Sequence, residues 1–152
     1  MHGLVSLLIL ALAFGTRSLL LDPSSSSASP SSAAPEKCVR EVRVAAVKKS
    51  SEACWIDAPS AGAAGTFNYA CEGGQAEVRI GKYAYRGSVK DGVLEYSLKT
   101  EFDWSDGCHW KSEQHLQGSV DGPLQYSYRE MPVSGKSCLS ACSAQGTYEV
   151  GR

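Results

Sequence analysis

Within the fourteen residues FDWSDGCHWKSEQH, Phe102 to His115, stand three carboxylates (Asp103, Asp106, Glu113), two imidazoles (His109, His115), Cys108 and two indoles (Trp104, Trp110). Three chemistries use such a set. Paired carboxylates hydrolyse glycosides when one is held protonated and the other ionised. Imidazoles together with thiolates bind zinc. Exposed indoles dock sugars or proteins through a large apolar body with a polar edge. The choice depends on the elements that carry these side chains.

Those elements read as strands. Leu94, Tyr96, Leu98, Thr100, Phe102 and Trp104 alternate with Glu95, Ser97, Lys99, Glu101 and Asp103, a period of two that no helix produces and that predicts one core face and one solvent face. From His109 to Leu116 the alternation resumes, with Trp110, Ser112, Gln114 and Leu116 on one side and His109, Lys111, Glu113 and His115 on the other. Directly opposed residues of an antiparallel pair share a face, so Phe102 is set against Trp110, leaving Ser105-Asp106-Gly107 as a three-residue loop ending in the glycine it needs. The same register sets Glu101 against Lys111, Lys99 against Glu113, Asp103 against His109 and Thr100 against Ser112, matching charge signs that played no part in choosing it.

In this frame the catalytic and metal readings weaken. Asp106 fills a turn position that favours Asp in any case, and Glu113 faces a lysine. Along a strand the two histidines are about 20 Å apart at ~3.3 Å per residue, too far for one ion. A zinc site from Cys138, Cys142, His109 and His115 lacks closely spaced histidines. No G-x-S-x-G, H-E-x-x-H or glycine-rich phosphate loop occurs. We therefore expect no metal, no cofactor and no catalytic residue, and take Trp104, Asp106, His109, Trp110 and Gln114 as candidate binding residues. The alternatives are a hydrolase using Asp103, Asp106 and Glu113, or a secreted enzyme inhibitor acting through Pro132 to Cys138 (PVSGKSC).

The surrounding chain has the rhythm of a β-meander. Tyr83, Tyr85, Gly87 and Val89 form the apolar face of a strand entering the two-residue turn Asp91-Gly92, a preferred type I′ pair. GSVKDGVLEYS returns as GSVDGPLQYS one residue shorter, which predicts an odd loop, Asp121-Gly122-Pro123, with Gly118 against Tyr126 as Gly87 is against Tyr96. Further strands are expected over 66–70, 76–80 and 145–150, while 39–47 reads as strand or helix. About seven antiparallel strands make an all-β domain, a meander closing into a small barrel or alternatively a sandwich. Barrels of this up-and-down kind include the lipocalins, but their early G-x-W is missing, and Cys54-Trp55 has no such context. Thr100, Ser112, Gln114 and Glu130 fall on the inner face, where each needs a partner, water or a ligand. Thr100 with Ser112, and Gln114 with Glu130 or buried water, are the expected partners.

Residues 1–21 contain the apolar run Leu4 to Phe14 and read as a signal peptide, or as an N-terminal signal anchor if the run extends through Leu21. Residues 22–36 form a Ser/Pro/Ala-rich linker that cannot offset its ordering entropy by burial. The domain proper is 37–152. All Lys+Arg but Arg17, and all Asp+Glu but Asp22 and Glu36, lie within it, so it is formally neutral, which speaks against nucleic acid and anionic lipid as partners. Its six cysteines (Cys38, Cys54, Cys71, Cys108, Cys138, Cys142) suit three disulfides in an exported chain. Sequence leaves the connectivity open, and pairing near neighbours (Cys38 with Cys54, Cys71 with Cys108, Cys138 with Cys142) is the simplest arrangement. The expectation is a monomer that is secreted, periplasmic or tethered to the cell surface, binding a small molecule, carbohydrate or protein.

Overall fold

The computed structural model describes residues 34–151. The leader expected over 1–21, and the linker as far as residue 33, lie outside the described residues. Eight strands follow one another: β1 (Lys37–Lys49), β2 (Ala64–Ala70), β3 (Gly74–Ile80), β4 (Tyr83–Lys90), β5 (Val93–Asp103), β6 (His109–Ser119), β7 (Leu124–Ser134) and β8 (Cys142–Val150). Each pairs antiparallel with its sequence neighbour, and β8 returns to β1, closing a barrel. Among the described residues there is no helix. The ambiguous segment 39–47 is therefore strand, as its valines favour: Val42 and Val44 point inward and are fully buried.

The hairpin registers follow from face parity and turn chemistry. Phe102 opposes Trp110, and the four other pairs expected between β5 and β6 form as well. Trp104 N–H donates to the Cys108 carbonyl at 2.9 Å, so the loop is Ser105-Asp106-Gly107, with Gly107 at φ 80°. Asp91 and Gly92 both have positive φ, 50° and 74°, as a type I′ turn requires. The β6–β7 register differs from expectation by two residues. Gly118 opposes Leu124, and Tyr126 opposes Leu116. A Cβ on Gly118 would lie 2.3 Å from the Pro123 carbonyl oxygen, so the glycine serves a close approach of two backbones, not the seating of a tyrosine ring. A shift of two preserves face parity, so Tyr126 remains inside.

One end of the barrel, here the upper end, carries the loop between β1 and β2 (50–63), the β3–β4 and β5–β6 turns and the β7–β8 connection. The lower end carries the other three turns. The lumen is filled by side chains, among them Phe67, Val78, Ile80, Leu94, Leu116, Leu124 and Tyr148, all essentially without solvent exposure. Three disulfides staple the wall: Cys38–Cys71 at the lower end, Cys54–Cys142 and Cys108–Cys138 at the upper. None of the near-neighbour pairings forms. A barrel brings together the ends of adjacent strands, so Cys54 meets Cys142 across 88 residues because β8 starts where β1 finishes. Three disulfides in a domain of this size are consistent with an extracellular or secreted protein.

Candidate functional site

The wall is not sealed evenly. β5 pairs with β6 along its whole length, from Val93 to Asp103. On its other side it pairs with β4 only through Lys90–Val93, Val89–Leu94 and Ser88–Glu95. The vertex lies at Gly87, where a Cβ would sit 2.2 Å from the Glu95 carbonyl oxygen; the bare Cα lets the two strands touch before they part. Above that point β4, still paired with β3 on its other side, and β5 no longer pair with each other, and no other strand among the described residues takes up the two facing edges. This opening, the seam, corrects one expectation. Alternation along β5 continues unbroken, yet only Leu94 and Tyr96 are core; Leu98 is 47% exposed, Thr100 is exposed and Phe102 half-buried.

Behind the seam the inner face is polar and internally bonded. Thr100 Oγ1 and Ser112 Oγ are 2.6 Å apart, the expected pair. Gln114 does not pair with Glu130. Instead its Oε1 accepts from Tyr96 Oη at 2.7 Å and its Nε2 donates to Tyr126 Oη at 3.2 Å. Glu130 sits one row higher, opposite Ser112, and accepts from Tyr128 Oη and from Trp55 Nε1, each at 2.5 Å. Burial holds the phenols of Tyr85, Tyr96, Tyr128 and Tyr148 above their ordinary range. Burial likewise pushes Tyr126 up to about 12, against the lowering effect of its bond from Gln114. These tyrosines are neutral hydrogen-bonding groups, not bases.

The loop over 50–63 crosses the upper mouth and bridges the two sides of the seam. Cys54 fixes it to β8, and Ile56 drops into the core with 1% exposure. On the β4 side Asp57 pairs with Lys82 and accepts from Tyr83 Oη at 2.5 Å, and these partners, Lys82 foremost, hold its carboxyl below the usual range. On the β5 side Trp55 packs against Trp104 at 5.8 Å between ring centroids and edge-on against Trp110 at 5.3 Å and 89°. Trp104 and Trp110 are themselves 5.4 Å apart. The edge-to-face contact suits the ring quadrupoles. Trp110 is fully buried, and its Nε1 has no hydrogen-bond partner among the described residues.

Of the candidate residues, only Trp104 and Trp110 come together, and a third indole joins them. Asp106 Oδ1 accepts from the Cys108 N–H at 2.9 Å and so builds the turn. His109 lies on the outer face, its Nδ1 2.8 Å from Asp103 Oδ1 and its Nε2 3.5 Å from Glu101 Oε2. Gln114 belongs to the tyrosine set below. Glu113 is held by Lys111 at 3.0 Å and Lys99 at 3.5 Å, with Lys111 foremost in keeping its carboxyl below the ordinary range. Asp103, Asp106 and Glu113 thus each have separate partners. Trp55 escaped the sequence reading because it lies in an aperiodic loop; its one signal was the adjacent Cys54, since a disulfide pins that loop to the barrel.

No relative identifies the chain. No protein-family model matches it, and comparison with curated proteins and with solved structures finds no match. Function must be argued from the seam and what surrounds it.

Proposed function

We propose that this chain is an exported, non-catalytic binding domain whose ligand-facing surface is the seam between β4 and β5. The observation that carries the reading is the exposure of an inner face. Leu98, at 47% exposed, shares its face with the core residues Leu94 and Tyr96, so the fold leaves apolar surface open where a closed ladder would cover it. The hydroxyl, amide and carboxylate groups behind it are bonded to one another or to Trp55, and the nearby carboxylates are engaged in ion pairs or a turn; neither feature suits general acid–base work. The apolar run at 4–14 and three disulfides support export, with the chain either released or held at the surface by its leader.

The dye 1-anilinonaphthalene-8-sulfonate tests this surface directly. The native oxidised protein should bind it with a blue-shifted emission that Leu98→Ser abolishes without loss of cooperative unfolding. Dye binding that is absent, or indifferent to Leu98→Ser and Phe102→Ser, would remove the basis for a binding seam.

A second reading, a secreted inhibitor, draws on one observation. Residues 133–137 are all exposed, and Cys108–Cys138 holds the segment against the β5–β6 tip. An exposed loop stapled at its end suits insertion into a protease cleft; titration against representative serine and cysteine proteases decides it.

A further inference from the structure

Resting on the proposal that the seam is the binding surface, we infer that its occupant is an extended peptide segment of a partner protein, adding as an antiparallel strand to the free edge of β5. The phase of the β5 ladder shows which groups are available. Trp104 donates to Cys108, so even-numbered residues of β5 turn their N–H and C=O toward β6 and odd-numbered residues turn theirs toward β4. The two-residue turn at Asp91-Gly92 agrees, because it makes Lys90 and Val93 a bonded pair. Glu95 is the last odd residue with a β4 partner. Ser97, Lys99, Glu101 and Asp103 therefore present a row of ladder donors and acceptors over four strand positions, and no strand among the described residues takes them up. Open edges of this kind are templates for strand addition, with main-chain bonds supplying affinity and alternate side chains supplying specificity.

The side chains along this edge state what the partner must carry. On the inner face it meets Leu98, Thr100 and Phe102, and on the outer face Lys99 and Glu101. A fitting peptide alternates apolar with charged residues, placing an acid opposite Lys99 and a base opposite Glu101. The segment Tyr96 to Asp103 meets this requirement against itself. Run antiparallel and centred on Thr100, it sets Phe102 against Leu98 and Glu101 against Lys99, in both directions. A shift by two sets Lys99 against Lys99 or Glu101 against Glu101, and a shift by one breaks the hydrogen-bond phase. One register is selected.

A synthetic peptide, YSLKTEFD, is accordingly the probe. Added to the full chain with disulfides intact, it should slow hydrogen exchange about ten-fold or more at the amides of Ser97, Lys99, Glu101 and Asp103. The amides of Leu98, Thr100 and Phe102, already bonded to β6, should change little. N-methylation of the peptide nitrogens corresponding to Lys99 and Glu101 should abolish binding. Lys99→Glu in the protein should weaken binding, and replacing the peptide's glutamate by lysine should restore it. Binding that depends on Leu98 but leaves the odd-numbered amides unprotected would overturn strand addition while leaving the seam a binding surface. A peptide that does not bind, while the dye binds in a Leu98-dependent way, would also overturn it. If neither binds, both readings fall.

Discussion

The lower and upper halves of the barrel use the same strands and are held in different ways. Below the Gly87 vertex β4 and β5 pair with each other as well as with β3 and β6, the lumen is aliphatic and aromatic, and one disulfide, Cys38–Cys71, suffices. Above it the β4–β5 ladder is missing, the inner face mixes Thr100, Ser112 and Glu130 with indoles, and two disulfides are spent on a loop and a hairpin tip. Where the ladder closes, burial of apolar area stabilises the wall. Where it is open, covalent staples and buried hydrogen bonds substitute for it, and the edge remains available. A region stabilised in that way can keep a surface uncovered without unravelling.

The largest test of this contrast is removal of the staples. Chain-entropy reasoning assigns about 4.6 kcal/mol to Cys54–Cys142, which closes 88 residues, and about 3.7 kcal/mol to Cys38–Cys71, which closes 33. Urea unfolding of the Cys54→Ser/Cys142→Ser and Cys38→Ser/Cys71→Ser variants should rank them in that order. Only the first should also increase dye binding in water, because it frees the loop that carries Trp55 and Asp57 across the seam. Increased dye binding in the second variant instead would mean that the lower staple holds the seam, and the two halves would not be separable.

Next in size is a comparison within β5. Leu94 and Leu98 are the same residue type, on the same face and four positions apart, one fully buried below the vertex and the other 47% exposed above it. Leu94→Ala should cost about 3 kcal/mol, as a buried truncation with a cavity term, and Leu98→Ala no more than about 0.5 kcal/mol. Equal costs would show that the seam is closed in solution.

The same pair of leucines marks how far the sequence could be read. Strict alternation located both residues on one face, and parity with the Asp-Gly and Ser-Asp-Gly turns fixed the β4–β5 and β5–β6 registers, because a one-residue slip would turn every core side chain outward. Alternation says nothing about which neighbour a strand pairs with, so the end of the β4–β5 ladder was not legible. The two-residue difference at Gly118 escaped for a related reason: parity cannot resolve a shift by two, and the close approach to Pro123 that decides it is a matter of backbone packing. The disulfides were illegible because their partners are set by which strand ends meet around a closed barrel. At the candidate site, Trp104 and Trp110 were visible from their shared face, whereas Trp55 reaches them from a loop without period.

The smallest predicted effect concerns how the upper half holds the outer side of its hairpin tip. His109 bonds to Asp103 and lies near Glu101, and these partners, Asp103 foremost, raise its titration above the ordinary 6.5 despite some desolvation in the opposite direction. A raised midpoint in the folded state means that the imidazolium contributes stability fully below about 6.5, and that the contribution fades as pH climbs through the folded midpoint. Proton NMR of the His109 ring should give a midpoint above 6.5, moved back toward it by Asp103→Asn and by added salt, since the group is open to solvent and screened. A midpoint that Asp103→Asn leaves in place would mean that the tip is fixed without this ion pair, leaving Cys108–Cys138 and the Trp55, Trp104 and Trp110 cluster to position the upper edge of β5.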